Sequence, residues 1–366
     1  MTYQPREKLL PFGEEQHMVQ SLEHIKGTVG FIGGRFLPFH RGHIFAIIEA
    51  SNHVEDLYVV LNSNKEKDDE ICMADGIRPM PAKVRLSWIG ESLSKLENIH
   101  ILHIQDDSWG ESDNWDTGTR AVKAAIGKTI THVFSSEHAY DELFDKYYPE
   151  AKHIVIDARR SIVTARSASE IRQNLYDFWS LLPQTVQSFF VKRIAFIGTE
   201  SVGKTTLAEK LSKFYNTAYV HEVGRDYTLR YSDQLTVNHF DELAMEHFLL
   251  TEKKAMVCNR VLLIDSEAIV TQYYLEMYFG NRSGLIEEII KRQKFDLCLY
   301  LEPDLEWIDD GVRFAGAEDL REKNNKYLKE MLAEYGVEFK TISGDYNNRF
   351  IAAKNAIDGL FESRKP

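Results

Sequence analysis

Two short stretches of this chain combine glycine with basic and hydroxyl residues at spacings that suit phosphate groups. Residues 34–43 read GRFLPFHRGH, and residues 198–205 read GTESVGKT. Glycine lets the backbone turn sharply and approach a ligand closely. A helix that begins in such a turn offers backbone N–H groups and a favourable dipole to an anion. The sequence therefore predicts two nucleotide-phosphate sites, one near the start of each half.

The first stretch predicts chemistry at an α-phosphate. His40 and His43 are three residues apart at the start of a predicted helix, so both rings can face one ligand. Imidazolium can neutralise a phosphorus centre under attack. Because no residue here is an obvious nucleophile, a second substrate would attack with its own phosphate and pyrophosphate would leave. The alternative is that the two histidines only cap and pack the helix. The nucleotide-binding residues predicted here are Gly33, Gly34, Arg35, Phe36, His40 and His43.

The second stretch has the full Walker A spacing between a predicted strand and a predicted helix. In such loops backbone N–H groups hold the β-phosphate, the lysine (Lys204) spans the β- and γ-phosphates, and the hydroxyl of Thr205 binds Mg²⁺. Asp265 ends the apolar run 261–265 and is the predicted second Mg²⁺ residue, although it could instead cap a helix. The ATP-binding residues predicted here are Gly198, Thr199, Glu200, Ser201, Val202, Gly203, Lys204, Thr205 and Thr206.

Two further segments of the second half end predicted strands with charged residues. Glu222 is a candidate general base or ribose ligand, and Arg225 is a candidate substrate ligand. An exposed ion pair between them is the alternative. Residues 303–313 read as a mobile lid, in which Arg313 would stabilise charge on the γ-phosphate. A plain surface turn is the alternative for this segment.

Continuous apolar runs alternate with helical patterns along both halves, which indicates parallel sheets covered by helices. A chain of 366 residues also favours more than one core. The pattern predicts an α/β protein with domains at 27–185 and 191–366. Within the first domain it predicts a polar loop over 106–118 and a closing helix over about 169–182.

Composition argues against several classes of protein. The net charge of −12 gives no support to nucleic-acid binding, which usually requires a basic face. No apolar run reaches membrane-spanning length, and the first 20 residues lack a signal-peptide core. The three cysteines lack metal-ligand spacing, and the two that lie in apolar runs, Cys258 and Cys298, are expected to be buried thiols. A cytoplasmic location is therefore expected.

The first half resembles a nucleotidyltransferase family that includes nicotinamide mononucleotide (NMN) adenylyltransferases. The resemblance is carried by GRFLPFHRGH and by a later segment, 167–172, that reads SASEIR. It implies that Ser167, Ser169 and Arg172 bind the triphosphate, although Ser169 also reads locally as a helix N-cap. Arg166 departs from the apolar residue usual before this turn. The resemblance also favours Trp115, with Asp106, for NMN binding, where the indole would stack on nicotinamide. The alternative is that this tryptophan only packs its loop.

The second half resembles the ribosylnicotinamide kinase domain of NadR-type proteins. The shared segments are HEVGRD at 221–226 and PDLEWIDDGVR at 303–313. The order of the two halves resembles the NadR family from about residue 27, which implies a Rossmann-like nucleotidyltransferase sheet followed by a P-loop kinase sheet. It also implies that ATP and Mg²⁺ convert nicotinamide riboside to NMN, and that NMN and ATP then give NAD and pyrophosphate.

Other functions and assemblies stay open at this stage. The P-loop domain could sense nucleotide and regulate a partner such as a riboside transporter. A DNA-binding regulator is a further alternative, but the acidic balance and the absence of room for a repressor domain before residue 27 argue against it. A homo-oligomer is compatible with the sequence.

Overall fold

Each half of the chain builds one parallel sheet. The computed structural model describes residues 25–105, 115–157, 166–304 and 318–362. Contacts within the chain separate two compact units between Val186 and Gln187. Each unit has one parallel sheet of five strands in the described residues. The α/β prediction with two sheets is confirmed.

In the first unit the strand that leads to the histidine stretch is central. The strands are β1 Val29–Gly34, β2 Asp56–Ser63, β3 Ile99–Gln105, β4 His132–Ser135 and β5 Lys152–Val155. Their order in the sheet is β3-β2-β1-β4-β5, and all pairs are parallel. The carboxyl end of β1 therefore lies between those of β2 and β4, where parallel sheets place ligands.

The helices of this unit cover a sheet whose central strands are almost wholly buried, because β1 and β2 consist mainly of apolar residues. The first helix begins directly after the histidine stretch turns away from β1. The helices are α1 Arg41–Ser51, α2 Lys65–Ala74, α3 Ala82–Ser92, α4 Trp115–Ile126, α5 Asp141–Tyr147 and α6 Ala168–Gln173, and the boundary between the units falls within α7, Gln184–Phe190.

Two of the predicted segments differ from the structure. The closing helix expected over 169–182 ends at Gln173, because Asn174 leaves helical geometry with φ −134° and ψ 48°. A short 3₁₀ helix, Trp179–Leu181, follows, and the rings of Tyr176 and Trp179 stack 5.6 Å apart. The predicted end of the loop 106–118 is wrong, since the helix α4 already begins at Trp115.

In the second unit the strand before the Walker A stretch is also central. The strands are β6 Lys192–Ile197, β7 Tyr219–Val220, β8 Val261–Asp265, β9 Leu297–Leu301 and β10 Lys340–Ile342. Their order in the sheet is β10-β9-β6-β8-β7, and all pairs are parallel. Asp265 at the end of β8 therefore lies beside the end of β6, in register with Phe196.

Helices surround this sheet and bury the apolar faces of β6, β8 and β9. No helix in the described parts of the chain is long and apolar enough to cross a membrane. The expectation for Cys258 and Cys298 is confirmed, since both are free and buried, and Cys72 is free and buried as well. The helices are α8 Lys204–Tyr215, α9 Val223–Tyr231, α10 Val237–Ala255, α11 Ala268–Phe279, α12 Gly284–Arg292, α13 Glu318–Glu334 and α14 Tyr346–Asp358.

Candidate active sites

The two histidines of the first site cap α1 together. The Nδ1 atom of His40 accepts from the N–H of Gly42 over 3.1 Å, and the Nδ1 atom of His43 accepts from the N–H of His40 over 3.3 Å. Their rings stack with centroids 3.7 Å apart. In a neutral imidazole whose Nδ1 accepts, Nε2 carries the proton. The capping role and the phosphate role are therefore compatible, because capping uses Nδ1 of each ring, while Nε2 carries the proton.

The turn between β1 and α1 is held by charged residues that sequence reasoning missed. Arg85, on α3, donates from Nη1 to the carbonyl oxygen of Arg35 over 2.6 Å and pairs through Nη2 with Asp68 over 2.5 Å. Nη1 of Arg35 lies 3.2 Å from the other carboxylate oxygen of Asp68. Asp68 and Arg85 are each 1% exposed, so the network is buried. Phe36, in the same turn, is buried with φ +49°.

Arg172 lies in this site and is already engaged by the protein. Its Nε donates to Asp75 over 2.7 Å, its Nη1 to the carbonyl of Leu37 over 2.6 Å, and its Nη2 to Ser169 Oγ over 3.0 Å. The arginine therefore ties the histidine stretch to α6 and to the end of α2. Asp75 was not predicted, because nothing local marks an acidic residue after a helix as a partner for an arginine 97 positions away.

The serines of 167–172 have different roles from those expected locally. Ser167, not Ser169, is the N-cap of α6, and it forms a reciprocal capping box with Glu170. The backbone N–H of Ser167, followed by the guanidinium of Arg166, lowers the pKa of Glu170 to about 2. The side chain of Ser169 is thus left to accept from Arg172. The reading of Ser169 as an N-cap is wrong.

Trp115 packs against aromatic residues of α5 and the segment before it. Its ring stacks on Tyr147 with centroids 6.1 Å apart and meets the edge of Phe144 at 5.7 Å. It lies at the margin of the core cluster that contains Phe31 and Phe144. These contacts match the packing alternative for this residue. Asp106, its predicted companion, lies outside the described residues.

The second site is a phosphate-binding loop whose own carbonyl groups accept hydrogen bonds from its lysine. Nζ of Lys204 donates to the carbonyls of Gly198 over 3.0 Å and Thr199 over 2.9 Å, and the side chain is buried. Gly203 has φ +85° as the N-cap of α8, a conformation that favours glycine. Glu200, Ser201, Val202, Gly203, Lys204, Thr205 and Thr206 of the predicted set line one cavity.

The residues expected to hold Mg²⁺ meet at this loop. Thr205 Oγ1 donates to Asp265 Oδ2 over 2.5 Å. Asp265 is 0% exposed, and its Oδ1 has no hydrogen-bond partner. Burial, with the nearby negative charge of Glu222, raises the pKa of Asp265 to about 7, although Lys204 opposes this. A buried, unpaired carboxylate oxygen beside a threonine hydroxyl fits a hard divalent cation. The helix-cap alternative does not apply, because Glu267 caps α11.

A cavity of about 400 Å³ opens from the loop and is large enough for a small ligand. Glu222, partly buried at the N-cap of α9, and Arg225, exposed, both line it. In the same segment His221 forms an ion pair with Asp226 over 2.9 Å. Arg313 lies outside the described residues.

Many of the residues that line this cavity were not predicted, and we describe three of them. His247 of α10 donates from Nε2 to the carbonyl of Asp265 over 3.2 Å, and burial lowers its pKa to about 4. Glu267 accepts from the N–H groups of Ile269 and Val270, and burial raises its pKa to about 7. Tyr274 of α11 is the third. The only local signal was their place on helices after strand ends, which many packing residues share.

The fold and these sites define a class of protein. One half is a nucleotidyltransferase-like parallel sheet with a histidine-capped helix at its central strand, and the other is a P-loop parallel sheet. Family models agree with this division. A cytidylyltransferase-like model matches residues 31–174, and an AAA domain model matches residues 193–349.

Whole-chain relatives then identify the family. Trifunctional NAD biosynthesis/regulator protein NadR of Escherichia coli strain K12 is 28% identical over 339 residues, covering 89% of this chain and 82% of the relative. Its namesake of Salmonella typhimurium strain LT2 is 28% identical over 337 residues, covering 88% of this chain and 81% of the relative. The chain belongs to the NadR family.

Solved structures share the fold over nearly the whole chain. A NadR protein in complex with NR has a TM-score of 0.75 at 23% identity, covering 91% of this chain and 95% of that one. A NadR protein in complex with NAD and AMP-PNP has a TM-score of 0.72 at 21% identity, covering 93% of this chain and 98% of that one.

Proposed function

We propose that this chain is a bifunctional enzyme of NAD biosynthesis. The second unit would phosphorylate nicotinamide riboside with ATP to give NMN. The first unit would join NMN to ATP and release NAD and pyrophosphate. The family, and relatives crystallised with NR, NAD and AMP-PNP, support this pair of substrates and products.

In the first unit the residues would bind and orient two phosphates rather than form a covalent intermediate. An oxygen of the NMN phosphate attacks the α-phosphorus of ATP, and the bond to the bridging oxygen breaks as pyrophosphate leaves. His40 and His43 offer Nε2–H donors beside the N-terminus of α1. Arg172 secures the shape of the same turn through Leu37. Trp115 and Asp106 remain the candidates for NMN binding.

In the second unit the hydroxyl of the riboside attacks the γ-phosphorus of ATP, and ADP leaves. Lys204 releases the carbonyls of Gly198 and Thr199 and pairs with phosphate oxygens instead. Glu222, on the cavity wall, accepts the hydroxyl proton, and Arg225 holds the substrate. Arg313 would act on the γ-phosphate.

The observation that carries this proposal is the placement of Asp265. Its unpaired buried oxygen, the hydroxyl of Thr205 and the phosphate loop all lie at one end of a cavity of about 400 Å³ that Glu222 also lines. When bound, Mg²⁺ would be held by Thr205 and Asp265 and would neutralise phosphate charge. A phosphate site beside a space of this size suits transfer to a nucleoside better than hydrolysis alone.

Product analysis tests both activities together. The purified chain is mixed with nicotinamide riboside, ATP and Mg²⁺, and NMN and NAD are separated by chromatography. We expect NMN first and NAD later. NAD formation from added NMN without phosphorylation of riboside would leave an adenylyltransferase whose P-loop unit senses nucleotide. The absence of both products would overturn the proposal.

A further inference from the structure

Arg349, on α14, is the most heavily engaged buried cation in the described part of the second unit, and the proposed reaction gives it no role. It is 2% exposed. Its Nε donates to the carbonyl of Gly344 over 2.7 Å and its Nη1 to that of Val202 over 2.6 Å. Its Nη2 donates to the carbonyl of Glu302 over 2.8 Å and pairs with the carboxylate of Asp304.

These partners follow three adjacent strands of the sheet. Val202 is in the loop after β6, Glu302 and Asp304 follow β9, and Gly344 follows β10. The guanidinium therefore joins the carboxyl ends of β6, β9 and β10 at the edge that carries the phosphate-binding loop. Asp304 strengthens the junction, since its other oxygen accepts from the N–H of Gly344 over 2.6 Å.

The bond to Val202 has a consequence for the loop itself. The carbonyl of Val202 and the N–H of Gly203 belong to one planar trans peptide group and point in opposite directions. A carbonyl held by Arg349 therefore turns the N–H of Gly203 away from the arginine, and Gly203 is among the residues that line the cavity. This N–H is one of the backbone donors that a phosphate-binding loop offers to its ligand.

We propose that Arg349 is a positioning residue of the second site, which fixes the direction of the Gly203 N–H and so sets the affinity of the loop for nucleotide phosphate. The proposal deepens the kinase function and rests on it for its effect on turnover. Its effect on nucleotide binding does not require turnover. A lysine at this position keeps the charge, but its donors share one nitrogen, so it cannot reach Gly344, Val202 and Glu302 from three separate nitrogens as the guanidinium does.

The test compares Arg349→Lys with the parent chain and with Arg292→Lys, the same change at an exposed residue of α12. Binding of Mg·ADP is measured by titration calorimetry, and the binding lost in Lys204→Ala defines the second site. We expect Arg349→Lys to raise the Kd at this site at least tenfold and the KM for ATP of the kinase similarly. The KM for riboside and the adenylyl transfer of the first unit should be unchanged.

Other outcomes separate this proposal from the kinase function and from a loss of folding. If the parent chain binds ADP in the Lys204-dependent site but does not phosphorylate riboside, the proposed kinase function is wrong, and the effect of Arg349 on ADP binding can still be tested. If the variant were only partly folded, its kcat would fall because fewer molecules are active, but its KM for ATP would not rise. If Arg349→Lys does not fold, Asp304→Asn keeps the arginine but removes its counter-charge, and we expect a roughly threefold higher Kd. Parental Kd and KM in the folded variant would overturn the proposal.

Discussion

Arg172 donates from Nη1 to the carbonyl oxygen of Leu37 over 2.6 Å, across 135 positions of sequence. This bond joins the two segments that, at the sequence level, were separate signs of a nucleotidyltransferase. The arginine expected to bind a triphosphate is thus also a structural partner of the turn that carries His40 and His43. Its side chain is 10% exposed, so a phosphate would meet it at one edge.

The first prediction concerns this double role. Arg172→Lys should lower adenylyl transfer roughly 100-fold, because a lysine cannot hold Asp75, Leu37 and Ser169 together and the turn would shift. NAD formation from NMN and ATP is the measurement.

The matched variant for this test is Asp75→Asn, which keeps a neutral acceptor for Nε of Arg172. It should retain more adenylyl transfer than Arg172→Lys, while riboside phosphorylation stays at the parental rate in both. Equal losses of both activities would show that the substitutions damage folding rather than the first site.

The second prediction separates the two sites. His43→Ala should abolish NAD formation from NMN and leave NMN formation from riboside, because it removes one ring from the stacked pair at α1. Lys204→Ala should do the reverse, because the loop loses the cation that spans the phosphates. Each activity is assayed with its own substrates, and a variant that loses both while folded contradicts the assignment.

The third prediction concerns pH. Asp265 has its pKa raised from an ordinary value of 3.8 to about 7, chiefly by burial. Between these values the folded chain binds more protons than the unfolded chain, so this residue makes the free energy of unfolding fall as pH rises. In metal-free buffer, Asp265→Asn should therefore gain stability over the parent from pH 4 to 7, by on the order of a few kcal/mol.

Urea unfolding of both proteins across this range is the measurement. His247 contributes the opposite slope, because its pKa is lowered to about 4, but it does so in both proteins and largely cancels. The parent should also bind Mg²⁺ more weakly below pH 7, because protons compete for the carboxylate. A stability gap that does not change with pH would contradict the raised pKa.

The fourth prediction concerns the glycine that opens the phosphate-binding loop. Gly198 has φ +151°, and a Cβ there would lie 2.8 Å from the carbonyl oxygen of Leu301 and 2.9 Å from a methyl group of Val202. Gly198→Ala should cost about 1–3 kcal/mol of stability through backbone strain and abolish riboside phosphorylation. Gly284→Ala is the control, since a Cβ at this helical glycine meets nothing within 4 Å. Thermal unfolding and kinase assays should show no loss in the control.

The strands could be predicted from the sequence because burial on both faces leaves continuous apolar runs. The apolar run 261–265, for example, has the same bounds as the strand β8, Val261–Asp265. The helix predicted over 169–182 is shorter in the structure, because the apolar spacing continues past Asn174 but the helical backbone conformation does not. Ring packing between Tyr176 and Trp179 accounts for that spacing instead.

The sites were predictable where one segment carries the whole signal, as in the phosphate-binding loop. They were not predictable where function depends on partners distant in sequence. Asp68 lies in a polar helix whose pattern suggests solvent exposure, yet it is 1% exposed between two arginines. In the sequence Arg349 resembles an ordinary surface arginine. Its buried contacts depend on the adjacency of β6, β9 and β10 in the sheet, which the sequence does not give.

Every contact described for the first site joins residues between 33 and 172, and every contact described for the second joins residues between 198 and 349. The division between Val186 and Gln187 falls between these two sets. A substitution in one set therefore meets no described partner in the other. For the proposed pair of reactions, selection could therefore tune the supply of NMN and its consumption separately, so that the ratio of the two rates, rather than either rate alone, becomes an inherited trait of a single gene.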